Sequence, residues 1–315
     1  LSSIPTKPTV AAVERPLDFA VIGASKCGTT SLFYYLREHP AIYLPAGKGL
    51  PFFTSDEAFG RGWRAVLDEY YVDAPPGALR GTVTPKYMED PRVPGRIHDL
   101  MPAIRLVAIL RNPIDRAFSQ YRQQVRRGKE SRPFADAIRE ERDPARLSVA
   151  RSSPHTVRAE ERYLATGEYG RILTPFYERF GAASMKVVYT ERLETAAEAT
   201  LQDVLGFLGR PGEFRPAALS KRYHEGGSRE RFPGLLSWVR RLQPLRALWH
   251  VLPSRRRREA RAWFFTQLNV VAERPERLPD DLRRDLTSFF APDVEQLQRW
   301  TGEAMPWPDF ATPGR

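Results

Sequence analysis

The sequence holds a single cysteine, Cys27, among 315 residues, so it can form no internal disulfide and gives no sign of needing an oxidising compartment. It lacks any run near the ~20 consecutive apolar residues that a membrane-spanning helix requires. Its opening, LSSIPTKPTVAAVERP, has no charged-then-apolar signal pattern. Cytoplasm is therefore the expected location of the residues given, which begin at Leu1 rather than Met. No internal period or low-complexity tract is present, which argues against solenoids and arrays. Acidic residues are in deficit, 38 Asp and Glu against 49 Lys and Arg, for a formal charge of +11. That excess favours an anionic partner: nucleotide, sulfated or phosphorylated ligand, nucleic acid or acidic membrane. With 42% hydrophobic and 28% charged residues the composition is globular, and the length suits one large or two modest domains.

Along the chain, strand and helix patterns alternate. The apolar run Phe19–Ile22 ends at Gly23 and leads through small residues into the helical pattern Ser31–Leu36. A second run, Ile104–Leu110, stops at Arg111-Asn112-Pro113; a helical pattern from Ala117 to Val125 follows, with Pro113 suited to a first turn. Met185–Tyr189 predicts a third buried strand, between an amphipathic stretch at Ile172–Phe180 and a helix around Thr195–Leu208. The economical reading is an α/β fold of three α/β/α layers around a central parallel sheet, with a helical C-terminal part. Residues 1–17 form an N-terminal extension. Residues 18–315 form a single domain whose Arg-rich, helical part begins near residue 211. The loops after Gly23 and Leu110 then sit at the carboxyl ends of parallel strands, where open α/β sheets bind ligands.

Gly23-Ala24-Ser25-Lys26-Cys27-Gly28-Thr29-Thr30 has the outline of a phosphate-cradling loop at a helix N-terminus, so the fold is P-loop-like. It departs from G-x-x-x-x-G-K-[ST] at one place: Thr29 stands where a nucleoside triphosphatase has Lys, and the lysine lies three residues earlier, at Lys26.

Ser25-Lys26-Cys27-Gly28-Thr29-Thr30-Ser31-Leu32 resembles the 5′-phosphosulfate loop of sulfotransferases that use 3′-phosphoadenosine 5′-phosphosulfate. Arg111-Asn112-Pro113 with Ser119 resembles that family's 3′-phosphate element, an Arg and a Ser eight positions on. The physics fits, with Ser119 about two turns into a helix and Arg111 at its mouth as a forked donor. Gly167-Glu168-Tyr169, with Leu173, Tyr177, Phe180 and the strand to Tyr189, resembles a segment of the heparan-sulfate type and its bacterial relatives. Ser228-Arg229-Glu230-Arg231-Phe232-Pro233 is similar to their late basic loop over the nucleotide. Tyr223 sits where an aromatic flanks the adenine, and Phe290-Ala291-Pro292-Asp293 through Trp307 is similar to the tail.

The resemblance implies in-line sulfuryl transfer from that donor to an acceptor oxygen or nitrogen of a glycan or small metabolite, leaving adenosine 3′,5′-bisphosphate, with no metal needed. Lys26 would be the cation over the breaking bond. Ser25, Thr29, Thr30, Ser31 and the N–H groups of Cys27 and Gly28 would hold the 5′ end, and Arg111, Ser119, Tyr223, Ser228, Arg229 and Arg231 the rest of the nucleotide. Cys27 has a rival reading as a nucleophile at a helix N-terminus. The carbohydrate enzymes carry K-E-x-x-F-F, whose Glu is the acceptor base; this chain has Lys48-Gly49-Leu50-Pro51-Phe52-Phe53. Their E-K-T-P is here Thr82-Val83-Thr84-Pro85. His155 and Lys86 are the candidates for a replacement base.

Between Arg229 and Arg261 ten arginines interleave with Leu and Trp residues, a pattern suited to an anionic membrane or a lipid-linked or polyanionic acceptor, or to a packed helix pair with a solvated basic face. Nothing in the sequence marks nucleic-acid recognition. Two alternatives to the transferase remain open: a binding protein on a nucleotide fold, impaired by Gly49, and a P-loop kinase or NTPase.

Overall fold

The computed structural model describes residues 16–154, 162–220, 228–230, 270–272 and 278–311. Its centre is a parallel sheet of five strands: β1 (Phe19–Gly23), β2 (Ile42–Tyr43), β3 (Leu79–Val83), β4 (Arg105–Leu110) and β5 (Met185–Tyr189), in the order β2-β3-β1-β4-β5. β1, FAVIG, is buried at every residue, as a central parallel strand covered on both faces must be. Helices connect the strands: α1 (Thr29–Arg37), α2 (Asp56–Gly60), α3 (Trp63–Tyr70), α4 (Val93–Leu100), α5 (Pro113–Arg126), α6 (Phe134–Glu141), α7 (Pro144–Ser152) and α8 (Tyr169–Phe180). Beyond β5 come α9 (Thr190–Thr195) and α10 (Ala197–Phe207). Two short antiparallel strands, β6 (Ser228–Glu230) and β7 (Val270–Ala272), precede α11 (Asp280–Thr301).

The expected α/β architecture is present, and β1, β4 and β5 lie where the apolar runs predict. Two strands were not anticipated. β3 reads LRGTV, with Arg80 and Gly81 interrupting the apolar pattern, because the Phe19 ring lies over the strand: a Cβ at Gly81 would come within 2.1 Å of it. β2 has only two residues, too short to register. The helix expected around Thr195–Leu208 is α10, and the unanticipated α9 precedes it, set apart at Ala196, whose backbone leaves the helical region (φ −141°, ψ 54°).

α11 closes over α8. Asp293 of α11 accepts the N–H groups of Gly170 and Arg171, each at 2.8 Å, and so caps the start of α8 from a neighbouring helix. Burial pushes the Asp293 carboxyl up to about 6 despite those two N–H bonds. The approach requires a glycine, since a Cβ at Gly170 would lie 2.3 Å from the Asp293 carbonyl oxygen. Farther along, Tyr177 and Trp300 stack at 5.2 Å, and Thr174 Oγ1 accepts from Trp300 Nε1 at 2.9 Å. Gly170→Ala should cost about 1–3 kcal/mol by forcing the helices apart. Urea unfolding checks this; an unchanged midpoint refutes the contact.

Candidate active site

β1 and β4 are direct neighbours, and their chains depart to opposite sides: β1 continues toward β2 and β3, β4 toward β5. The carboxyl ends of this pair are therefore the topological switch point of the sheet, where a crevice opens. In the first loop Lys26 and Gly28 both take left-handed backbone (φ 72° and 82°), an alternation that suits an anion-binding nest. α1 follows with no side-chain cap on its N-terminus, which leaves its first N–H groups for a ligand.

Two side chains tie this loop to the second. Thr190, just after β5, places its hydroxyl 2.8 Å from the carbonyl oxygen of Cys27 and 2.9 Å from that of Leu110. The Tyr169 hydroxyl donates to the Arg111 carbonyl at 3.0 Å and lies 3.5 Å from Cys27 Sγ. Asn112 opens α5: its Oδ1 accepts from the Ile114 N–H at 3.0 Å, while its own N–H donates to Glu191 at 2.9 Å. The sequence encodes this geometry in Asn-Pro, a capping residue followed by the helix's first position.

The crevice is strongly positive. Burial, then the charges of Arg126, Arg127 and Arg111, push Lys26 down to about 8. Lys48 donates to Thr29 Oγ1 at 2.7 Å and to Thr30 Oγ1 at 2.9 Å; burial, then the charge of Lys26, push it down to about 7. No carboxylate among the described residues pairs with either lysine. Two ammonium groups held this way favour an arriving anion, which would restore their protonation. Cys27 is fully buried, and desolvation raises its thiol to about 11, so the nucleophile reading loses its thiolate.

The structure thus gathers Ser25, Lys26, Cys27, Gly28, Thr29, Thr30 and Ser31 at one end of the crevice and sets Arg111 at the adjoining loop, with Ser119 half-buried on the second turn of α5. Lys86 sits in the turn after β3 and pairs with Glu89 at 2.6 Å, an arrangement that uses its ammonium form. His155, Tyr223 and Arg231 lie outside the described residues; Ser228 and Arg229 are placed only as backbone of β6. Gly49 has φ 94° and open space around it. Two residues escaped the sequence reading. Lys48 stood in the motif quoted above, but only the missing carboxylate beside it was weighed. Glu89 had no local signal: it reaches the first loop only through the fold, by accepting a hydrogen bond from Ser25.

No protein-family model matches the chain. A membrane-associated sulfotransferase of Dictyostelium discoideum, kil1, is 37% identical over 133 residues, 40% of this chain and 28% of that protein. Human heparan sulfate glucosamine 3-O-sulfotransferase 5 is 31% identical over 197 residues, 61% of this chain and 53% of that protein. A crystal structure of a sulfotransferase from Alicyclobacillus acidocaldarius superposes with a TM-score of 0.63 at 25% identity, covering 92% of this chain and 97% of that one. The chain is thus similar to sulfotransferases, in sequence over 61% of its length and in fold over 92%. It spans 28% and 53% of the length of those two curated relatives, the second of the heparan-sulfate type. Between the two loops the carbonyls of Cys27 and Leu110 on Thr190 are buried acceptors. Thr190→Val should cost about 1–3 kcal/mol by leaving them unpaired. Thr190→Ser should recover most of that in urea unfolding, whereas an equal loss in both variants would mean the methyl group matters instead.

Proposed function

We propose that the chain moves a sulfuryl group from 3′-phosphoadenosine 5′-phosphosulfate to a hydroxyl or amine of a glycan or small-molecule acceptor, by in-line displacement. One observation carries the reading: two basic loops, bound to each other through Thr190 and Tyr169, meet over a single crevice. Two half-buried lysines without a described carboxylate partner fit a ligand with concentrated negative charge. In this assignment Lys26 and Lys48, with Thr29 and Thr30, hold the 5′ end, while Arg111 and Ser119 hold the 3′-phosphate. Lys26 then faces the bridging oxygen on which charge develops as the bond to sulfur breaks. Tyr223, Ser228, Arg229 and Arg231 complete the nucleotide contacts. A kinase or NTPase reading lacks the lysine after Gly28 that its loop requires.

Location belongs to the same proposal. No described helix is long and apolar enough to cross a membrane. The basic segment 229–261 supports peripheral attachment, and membrane association is part of the Dictyostelium relative's name. Co-sedimentation with phosphatidylserine vesicles at low salt should capture the protein; recovery in the supernatant refutes the attachment.

Calorimetric titration tests the donor. Adenosine 3′,5′-bisphosphate should bind far more tightly than AMP, and Arg111→Ala or Ser119→Ala should erase that preference. Equal wild-type affinity for the two nucleotides overturns the assignment. The lysines add a sign. At pH 8 Lys48 is largely neutral and Lys26 about half protonated, so bisphosphate binding should take up protons. Binding heats in buffers of different ionisation enthalpy should reveal the uptake, and proton release would contradict the described site.

A further inference from the structure

A hydroxyl acceptor must lose its proton as its oxygen attacks sulfur, and the position opposite Lys48 offers only Gly49. Glu89 lies in the turn after β3, below the carboxyl end of β1. Its Oε1 accepts from the hydroxyl of Ser25, the residue next to Lys26, and its Oε2 accepts from Lys86 Nζ at 2.6 Å. Its own backbone carbonyl accepts from Arg162 Nη2 at 3.0 Å, so the segment is fixed from a third side. Glu89 is almost fully buried, at 8% exposure, while Ser25 is only partly covered. A partly exposed hydroxyl on the nucleotide loop, backed by a buried carboxylate, is a ready path for a proton leaving the crevice.

Resting on the sulfuryl-transfer reading above, we propose that Glu89 is the terminal acceptor of the acceptor's proton, reached through the hydroxyl of Ser25. The acceptor oxygen forms the new bond to sulfur, and the bridging S–O bond breaks with its electron pair remaining on the 5′-phosphate. The acceptor's proton passes to Ser25 Oγ as the proton of Ser25 passes to Glu89 Oε1. Glu89 ends the step as a neutral acid and returns its proton to solvent when the products leave. Its surroundings suit the resting state. Burial pushes the carboxyl up, but the charge and hydrogen bond of Lys86, the Ser25 hydroxyl and the charge of Arg162 outweigh it and hold Glu89 below the usual carboxylate range. Lys86 is in this arrangement the counter-ion that positions Glu89, not the base itself.

The test compares wild type, Glu89→Gln and Ser25→Ala with two acceptor probes, water and p-nitrophenol at pH 8, where the phenol is ionised and needs no base. Release of adenosine 3′,5′-bisphosphate from the donor is followed by mass spectrometry, and bisphosphate affinity by calorimetry. Glu89→Gln should bind the bisphosphate within about threefold of wild type and transfer to p-nitrophenolate nearly unimpaired, while Ser25→Ala, which alters the nucleotide loop itself, is read only through its ratio of water to p-nitrophenolate turnover. Both variants should lose on the order of 100-fold in release with water as acceptor relative to p-nitrophenolate. Retained turnover with water in either variant overturns the relay, as does an equal loss with both acceptors, which would mark a purely structural pair. A wild type that binds the bisphosphate but releases it no faster than buffer does also overturns it. Failure of wild type to bind the bisphosphate at all defeats the parent reading instead.

Discussion

Everything in the site follows from β1 and β4 lying side by side and parallel, each ending in a loop that starts a helix. Parallel pairing aligns the two carboxyl ends, and the connections diverge there, which is where open α/β sheets form a ligand crevice. The register slips near the top of the pair, between Val21 and Gly23, and the Ala24 N–H is taken by the Ile109 carbonyl at 2.7 Å. The first loop therefore rises directly from the sheet. Thr190, just past the end of the next strand, then fixes how far apart the loops stand, so three neighbouring strands of the sheet set the spacing of the two loops.

Charge is distributed in the same economical way. Several arginines of the described fold are matched: Arg92 and Arg96 with Asp56, Arg132 with Glu130 and Glu140, Arg151 and Arg171 with Glu168, Arg283 with Asp115 and Asp309. Lys26 and Lys48 depart from that pattern at the crevice. A partly desolvated cation without a carboxylate partner is less favourable than a paired one and would gain from an anion. Exposed ion pairs elsewhere contribute little individually.

What was legible in the sequence is what is local. Phe19–Gly23 and Leu106–Leu110 announce themselves because a strand buried on both faces must be apolar throughout, and Met185–Tyr189 announces itself by its β-branched and aromatic end, Val187-Val188-Tyr189. Gly28 and Pro113 mark turns that only those residues make easily. β3 was hidden because tight packing against Phe19 demands a glycine in mid-strand, which reads as a break. Lys48 and Glu89 were hidden for a different reason. Each reaches the first loop across a sequence separation of 18 residues or more, and no periodicity encodes a contact made by tertiary folding. Conversely, the candidate base His155 and the resemblance at Tyr223 concern segments outside the described residues, so those assignments rest on sequence alone.

Gly49 carries a conformational consequence. Its neighbourhood has room for a side chain, but its backbone sits at φ 94°, a region that residues with a Cβ rarely adopt. An acid introduced there by a single codon change would stand on a loop shaped around glycine, with a conformational penalty before any benefit. The loop would have to move first, so space alone does not make this position open to substitution.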